Sequence, residues 1–448
     1  MAGMTDKGVV QMNQIAQPNL RAISLDIIYE VLEKNGYSNH LIDDVLKKYQ
    51  YFDKKQRSFI SRLSLGTIEH AVTIDAILNL YSKLPTNKMK PVLRNILRMS
   101  VYQMFYMSNT PDSAICNEAV KLASKRGYSS LKGFVNGVLR NILRNRERIM
   151  EEQLPSLPKA TYYSMPQWIF DMWVETYDEQ TAEEICASFL KIRKTSIRTN
   201  LSRITPEELK TKLEKEQVEV ALVEDLPFAF FISEYDYLRH LRSFCDGDFY
   251  VQDISSMLVA VRAGIKENDK VLDMCAAPGG KSLQIADMLS EQGHITACDL
   301  SEYKVDILKD NMKRMQVCNM DACVWDAQVY DPEKENAFDV VICDLPCSGL
   351  GVIGRKPEIK YQQSMEQIKM LAELQKKILS NAVHYVKTGG HLVFSTCTIT
   401  AIENEDNVTW LLQQFPYMES LTCEQRLPMS GQGDGFFISV FVKKQEER

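Results

Sequence analysis

The chain has 448 residues, 45% hydrophobic and 25% charged, as in ordinary globular proteins, and its length allows roughly two to four domains with sizeable cores. No run of about eighteen uncharged apolar residues occurs, which excludes a membrane-spanning helix, and the first ten residues lack the basic region and apolar core of a signal peptide, so a cytoplasmic protein is expected. The net charge of -6 argues against a general nucleic-acid binder, but 21 Lys and Arg stand against 11 Asp and Glu between Asn19 and Met150, so a basic part that can meet phosphates is joined to an acidic remainder.

Residues 1–18 read as a short flexible tail. From 19 to 150 the pattern is helical: Leu25, Ile28, Val31 and Leu32 share one face, and Val92 to Met107 and Phe134 to Leu143 repeat the spacing. Pro85, Pro91 and Pro111 fall between these runs, where a missing N–H is tolerated. Basic residues gather late, at Lys121, Lys125, Arg126, Lys132, Arg140, Arg144, Arg146 and Arg148. Residues 151–165, with Pro155 and Pro158 among polar neighbours, read as a linker. Residues 166–250 mix helices (Pro166 to Tyr177, Thr181 to Leu190) with short strands such as Thr195 to Thr199, a small α+β module.

From 251 to 448 the rhythm changes. Lys270 to Cys275 precedes a helix over Ser282 to Leu289, and Ile295 to Asp299 precedes Tyr303 to Met315. Cys323 to Trp325 follows, then Asp339 to Cys343 with Gln367 to Val386, His391 to Phe394 with Asn404 to Leu412, and Gly435 to Val442. Such alternation predicts an α/β fold with a mostly parallel sheet covered on both faces. Ligands of such sheets bind at the carboxyl ends of the strands.

The eleven cysteines include no CxxC pair, and the six histidines stand at no ligand spacing beside them, so no metal site is expected. Most of the cysteines lie in apolar runs and read as reduced, buried small hydrophobes. Cys347 and Cys397 differ. Each falls just past a strand, in Cys343-Asp344-Leu345-Pro346-Cys347-Ser348-Gly349 and Ser395-Thr396-Cys397, beside polar residues where a thiol can be partly exposed and ionised.

The first strand of this region runs into Asp273-Met274-Cys275-Ala276-Ala277-Pro278-Gly279-Gly280-Lys281-Ser282. A glycine-containing strand-to-helix turn lets a ligand approach the backbone and meet free helix N–H groups, although it also serves as a plain tight turn. It is neither a phosphate-binding G-x-x-x-x-G-K loop nor G-x-G-x-x-G, so ATP and NAD are not favoured. Asp299 ends the second strand about twenty residues later, the spacing at which an acid reaches ribose hydroxyls. Asp326, past the third, can accept from an adenine amino group. Either acid serves equally as a cap when taken alone.

Asp273 to Ser282, with Asp344-Leu345-Pro346-Cys347 and Ser395-Thr396-Cys397, resembles the motif set of the RNA 5-methylcytosine methyltransferases. Gln252 to Ser256, Arg355-Lys356-Pro357-Glu358, Glu403-Asn404-Glu405 and Asp434 to Phe437 agree with it. Ile115 to Ala123 and Phe134 to Leu139 resemble the NusB helical RNA-binding fold, and Tyr163 to Trp168 the junction after it. Together they resemble the RsmB/Sun/Fmu family of bacterial 16S rRNA cytosine methyltransferases. Gly354 departs from the family, which often has a basic residue there, as does Ile402, where it often has an acid.

The resemblance implies an all-α NusB-like RNA-binding domain (19–150), an RNA-binding α+β module (166–250) and a Rossmann-like catalytic domain (251–448) with a mostly parallel seven-stranded sheet. It implies S-adenosyl-L-methionine as cofactor, held by Cys275, Ala276, Ala277, Pro278, Gly279, Gly280, Lys281, Asp299, Asp326 and Asp344. Cys397 is expected as nucleophile on carbon 6 of cytosine, Cys347 to assist release, Asp344 to bind the base near nitrogen 3, and Lys281 to orient the base or favour the thiolate. The expected partner is 16S rRNA or a partly assembled small subunit, met by a monomer without metal or membrane. An RNA-binding assembly or antitermination factor, which would have no cofactor affinity, and a methyltransferase acting on an amine, which needs no thiol, are the rival readings.

Overall fold

The computed structural model describes residues 18–108, 110–430 and 433–445. The expected tail, save Pro18, lies outside them. The chain forms two compact units, 18–68 with 77–146 and 69–76 with 147–445.

Seven helices make up the N-terminal region: α1 (Leu20–Lys34), α2 (Ser38–Lys48), α3 (Lys54–Glu69), α4 (Ala71–Tyr81), α5 (Pro91–Tyr106), α6 (Asp112–Lys125) and α7 (Lys132–Arg144). The stripes legible in sequence are the buried ones: Leu25, Ile28 and Val31 on α1, Ile96 and Leu97 on α5, Val135, Leu139 and Ile142 on α7. Asn19 caps α1 by accepting from Ala22 N, 3.0 Å away, and Pro91 opens α5, where its missing N–H costs nothing. A Cβ on Gly66 of α3 would fall 2.0 Å from the Tyr102 ring of α5, so glycine alone permits that approach. Lys125, Lys132, Arg140 and Arg144 are exposed on α6 and α7.

In the second unit, α8 (Gln167–Thr176) and α9 (Glu179–Phe189) lead into β1 (Thr195–Thr199), α10 (Pro206–Lys215), β2 (Glu219–Leu222), β3 (Ala229–Ser233) and β4 (Phe249–Val251). These strands form an antiparallel sheet in the order β2-β3-β1-β4. One face of it, with Ile197, Phe230, Ile232 and Phe249, buries Leu209 and Leu213 of α10. The stretch 151–165, expected as a linker, is folded: Ala160, Ser164 and Met165 are buried, because a short helix (Lys159–Tyr162) turns its apolar side into the core under α8 and α9.

Then follow α11 (Ile254–Arg262), β5 (Lys270–Asp273), α12 (Gly280–Met288), β6 (His294–Asp299), α13 (Glu302–Met315), β7 (Met320–Val324), β8 (Phe338–Asp344), α14 (Met365–Tyr385), β9 (Val386–Thr396), α15 (Glu405–Gln414), β10 (Met418–Arg426) and β11 (Phe436–Lys443). The seven-stranded sheet has the order β10-β11-β9-β8-β5-β6-β7. Five strands from β9 to β7 are parallel, and β11 runs antiparallel to both its neighbours. Its central strands are apolar on both faces: Val271, Ile342 and Val393 enter one core, and Leu272, Val341 and Phe394 the other. The strand order reverses between β5 and β8, which opens a crevice at their carboxyl ends.

The sheet thus has the expected seven strands, but β10 is absent from the sequence reading. It is an edge strand, largely exposed, and its residues lack the alternation that marks a half-buried strand. The edge strand β7 begins three residues before the expected Cys323 to Trp325 and overlaps it at Cys323 and Val324. Four of the eleven cysteines are buried, four half-buried and three exposed, so burial is not the rule expected for them. No described helix is long and apolar enough to cross a membrane.

Candidate active site

Asp273 ends β5 and Asp344 ends β8, on adjacent strands. The next strand over, β9, pairs Ser395 with Asp344 in register. Strand geometry therefore sets Cys397, two residues past Ser395, beside the loop that follows Asp344, and the thiols of Cys347 and Cys397 lie 3.3 Å apart. Lys281, in the first turn of α12, reaches Asp344 Oδ2 at 2.7 Å, while Ser395 Oγ donates to Asp344 Oδ1 at 2.8 Å. The ammonium also lies 5.2 Å from the centre of the Phe436 ring.

Between β5 and α12 a cavity of about 220 Å³ is lined by Cys275, Ala276, Ala277, Pro278, Gly280 and Lys281, and closed by Asp273 and Asp344. Gly279 sits at φ +108°, and a Cβ there would fall 2.5 Å from Leu308 Cδ1, so the turn requires glycine. Asp299 is buried at the end of β6. Its carboxylate accepts from Ala277 N and Ser301 N, both at 3.3 Å, and so ties the turn to the second strand. Asp326, half-buried past β7, accepts from Gln328 N at 2.9 Å. Neither acid lines the 220 Å³ cavity. The other expected cofactor residues except Gly279 do.

The two thiols are electrostatically unlike. Hydrogen bonding with Cys347 pulls the Cys397 thiol down against its burial and the Asp344 charge, and Lys356 and Lys281 add to this. Cys347 is pushed well up by donating to Cys397, by burial and by Glu403. Of the two, Cys397 is thus the more readily ionised. Burial raises Asp273 to about 7, only partly opposed by the Ser282 hydroxyl at 2.5 Å. Burial also pushes Cys275 up, which leaves that thiol inert.

Several residues that shape the site were legible only as parts of longer signatures. Glu403, fully buried, accepts from Ser348 N (2.8 Å), Ser348 Oγ (2.5 Å), Thr400 Oγ1 (2.7 Å) and Gln375 Nε2 (3.3 Å), which anchors the loop that carries Cys347. Arg355 bridges Asp253 (3.0 Å) and Asp434 (2.6 Å), and Asp253 lines the 220 Å³ cavity. Tyr250 donates from its hydroxyl to Pro278 O at 3.2 Å, behind the glycine turn.

Residues 261–442 match the family described as 16S rRNA methyltransferase RsmB/F, residues 18–144 the NusB family, and residues 165–235 the RsmF/B-like ferredoxin-like domain. The probable ribosomal RNA small subunit methyltransferase B of Bacillus subtilis is 35% identical over 95% of this chain and 99% of its own. The ribosomal RNA small subunit methyltransferase B of Proteus mirabilis is 29% identical over 95% and 99%. The crystal structure of PH0851 superposes with a TM-score of 0.79 at 24% identity, over 95% of this chain and 99% of that one, a likeness of fold. The chain belongs to the RsmB/Sun family and is a methyltransferase of small-subunit ribosomal RNA.

Proposed function

We propose that this protein methylates carbon 5 of a cytosine in 16S rRNA, with S-adenosyl-L-methionine as methyl donor and Cys397 as covalent nucleophile. The observation that carries this reading is the pair of thiols 3.3 Å apart beside the Asp344–Lys281 pair. A methyltransferase acting on an amine needs no such pair, because an amine is already nucleophilic.

The residues present fit the cofactor. The turn at Cys275–Lys281 offers backbone and a small cavity, Asp299 and Asp326 offer acceptors at successive strand ends, and the acids of the crevice suit a cationic ligand. When bound, the cofactor supplies an electrophilic methyl group on its sulfonium. Carbon 5 of cytosine is a poor nucleophile, so Cys397 adds first. Its Sγ forms a bond to carbon 6, and the electron pair moves towards nitrogen 3. Lys281 spends one of its three donors on Asp344 and keeps others to meet the charge that builds there. Asp344, already held by Lys281 and Ser395, accepts from the amino group of the base. Carbon 5 then takes the methyl group and loses its proton to a base, and the Sγ–C6 bond breaks. The Cys347 thiol donates to the departing Cys397 sulfur and so assists release. The target base leaves its stack to reach this site.

Cys397→Ala should abolish methyl transfer from labelled cofactor to small-subunit rRNA while cofactor affinity persists. Turnover retained by this variant would remove the nucleophile assignment. Bisulfite sequencing of the product locates the methylated base, and a product without 5-methylcytosine would overturn the reading.

A further inference from the structure

The second unit holds a further cavity, of about 330 Å³, next to the candidate active site. Its wall runs through Lys191, Ile192, Arg193 and Lys194, between α9 and β1, to Phe231 on β3 and to Arg355. Asp253 lines this cavity and the 220 Å³ cavity alike, so the two adjoin. Lys194 and Phe231 in turn line a hollow of about 510 Å³ along β2 and β3. The three cavities thus share lining residues in succession, Asp253 between the first pair and Lys194 and Phe231 between the second.

The wall carries four cations, two of them committed. Arg355 is held by Asp253 and Asp434, and Arg193 pairs with Asp434. A Cβ on Gly354 would fall 2.6 Å from Arg193 Nε, so the bare glycine is what lets that guanidinium lie across the wall. Lys191 and Lys194 are exposed, and neither forms an ion pair among the described residues. Between them Ile192 is 100% exposed, and the half-buried Phe231 stands opposite. Uncommitted cations for phosphates beside an aromatic and an apolar surface for bases are the two components of a single-strand nucleic-acid site.

We propose that this cavity is the subsite for the nucleotide next to the methylated one. Lys191 and Lys194 hold its phosphate, and its base lies against Phe231 and Ile192. The inference rests on the reading of the chain as an RNA cytosine methyltransferase, and its test is read by binding rather than turnover.

The full-length protein and its Lys191→Gln/Lys194→Gln variant are titrated with a single-stranded RNA that spans the methylated site, at several salt concentrations. The variant should bind about ten-fold more weakly, and its plot of log affinity against log salt should flatten by about 0.7, the value for one lost phosphate contact. Its affinity for S-adenosyl-L-methionine should be unchanged, and Lys309→Gln, an exposed change on α13, should bind RNA as the parent does. Phe231→Leu should weaken binding several-fold with the salt slope unchanged, and an RNA abasic beside the target should erase that difference. Unchanged affinity and slope in the double lysine variant would overturn the subsite even where methyl transfer to cytosine is intact. The expected losses in a protein that never methylates cytosine would keep the subsite and refute the proposed reaction instead.

Discussion

Glu403 offers a test of how the catalytic loop is held. It lies in the short turn Ala401–Glu403 and has no exposed surface. In Glu403→Ala, Ser348 Oγ keeps Thr398 Oγ1 at 2.8 Å and Gln375 Nε2 keeps Pro346 O at 2.9 Å, but the buried Ser348 N–H and the buried Thr400 hydroxyl lose their acceptor. Two orphaned buried donors cost about 1–3 kcal/mol each, and the vacated carboxylate volume adds about 1 kcal/mol, so the variant should lose about 3–7 kcal/mol. Glu403→Gln keeps the shape. Its amide oxygen can accept from Ser348 N and Gln375, while the Ser348 and Thr400 hydroxyls turn to accept from its nitrogen. Because burial already pushes this carboxyl up, removal of the charge offsets the weaker bonds, and the cost should stay near about 1 kcal/mol. All four tryptophans (Trp168, Trp173, Trp325 and Trp410) fall in the second unit, so fluorescence during urea unfolding reads that unit alone. Glu403→Ala should also lower kcat without raising KM for the cofactor, because Ser348 follows Cys347 directly. Equal stability of the Ala and Gln variants would refute the role assigned to these hydrogen bonds.

Cys347→Ala should leave the addition step able to proceed and slow release, so a covalent protein–RNA adduct should accumulate on a denaturing gel; a gel without adduct counts against its part in release. The same variant should react more slowly at Cys397 with iodoacetamide at pH 7, read by mass spectrometry, since the hydrogen bond that favours the thiolate is gone. Asp273→Asn should stabilise the second unit at pH 8 by up to about 4 kcal/mol. The raised carboxyl contributes stability below its unfolded value near 4 and loses it as pH rises through about 7. The gain of the amide should therefore fade on acidification from pH 7 to 4, and a pH-independent difference would contradict the burial argument. Gly354→Arg should displace Arg193 from Asp434 while Arg355 keeps that acid, so uncommitted cations are added to the wall and RNA binding should become more steeply salt-dependent with the fold retained, as measured by salt titration and by circular dichroism.

What was legible in sequence follows from the period of the structure. Strands buried on both faces, such as Asp339 to Cys343, stand out as unbroken apolar runs, and their ends mark the crevice, so Asp273, Asp344 and Cys397 fall where the reading put them. The edge strand β10 and the folded stretch 151–165 did not stand out, because an exposed strand and a short helix of four residues bury too little to impose a pattern. The Lys281–Asp344 pair could not be read either. It joins residues 63 positions apart through the adjacency of β5 and β8, which is set by strand order rather than by local sequence. Gly354 shows the same limit: as a missing side chain it looks like a loss, and only the packing of Arg193 against it gives it a use.

The sharpest gain concerns the two cysteines. In sequence they are equivalent: each follows a strand, each sits beside a hydroxyl residue, and only resemblance ranks them. The surroundings break that symmetry. Lys281 and Lys356 lower Cys397 against the opposing Asp344 charge, while Glu403 and Asp344 both raise Cys347. These charges favour ionisation of Cys397 over that of Cys347, 3.3 Å away. This division also serves the end of the reaction, since the sulfur that must leave carbon 6 is the one with a donor already beside it. Glu403 thus has two effects on one thiol: it fixes the loop that carries Cys347, and its charge adds to the upward push on that thiol. A nucleophile and its release partner follow from one buried carboxylate and two lysines.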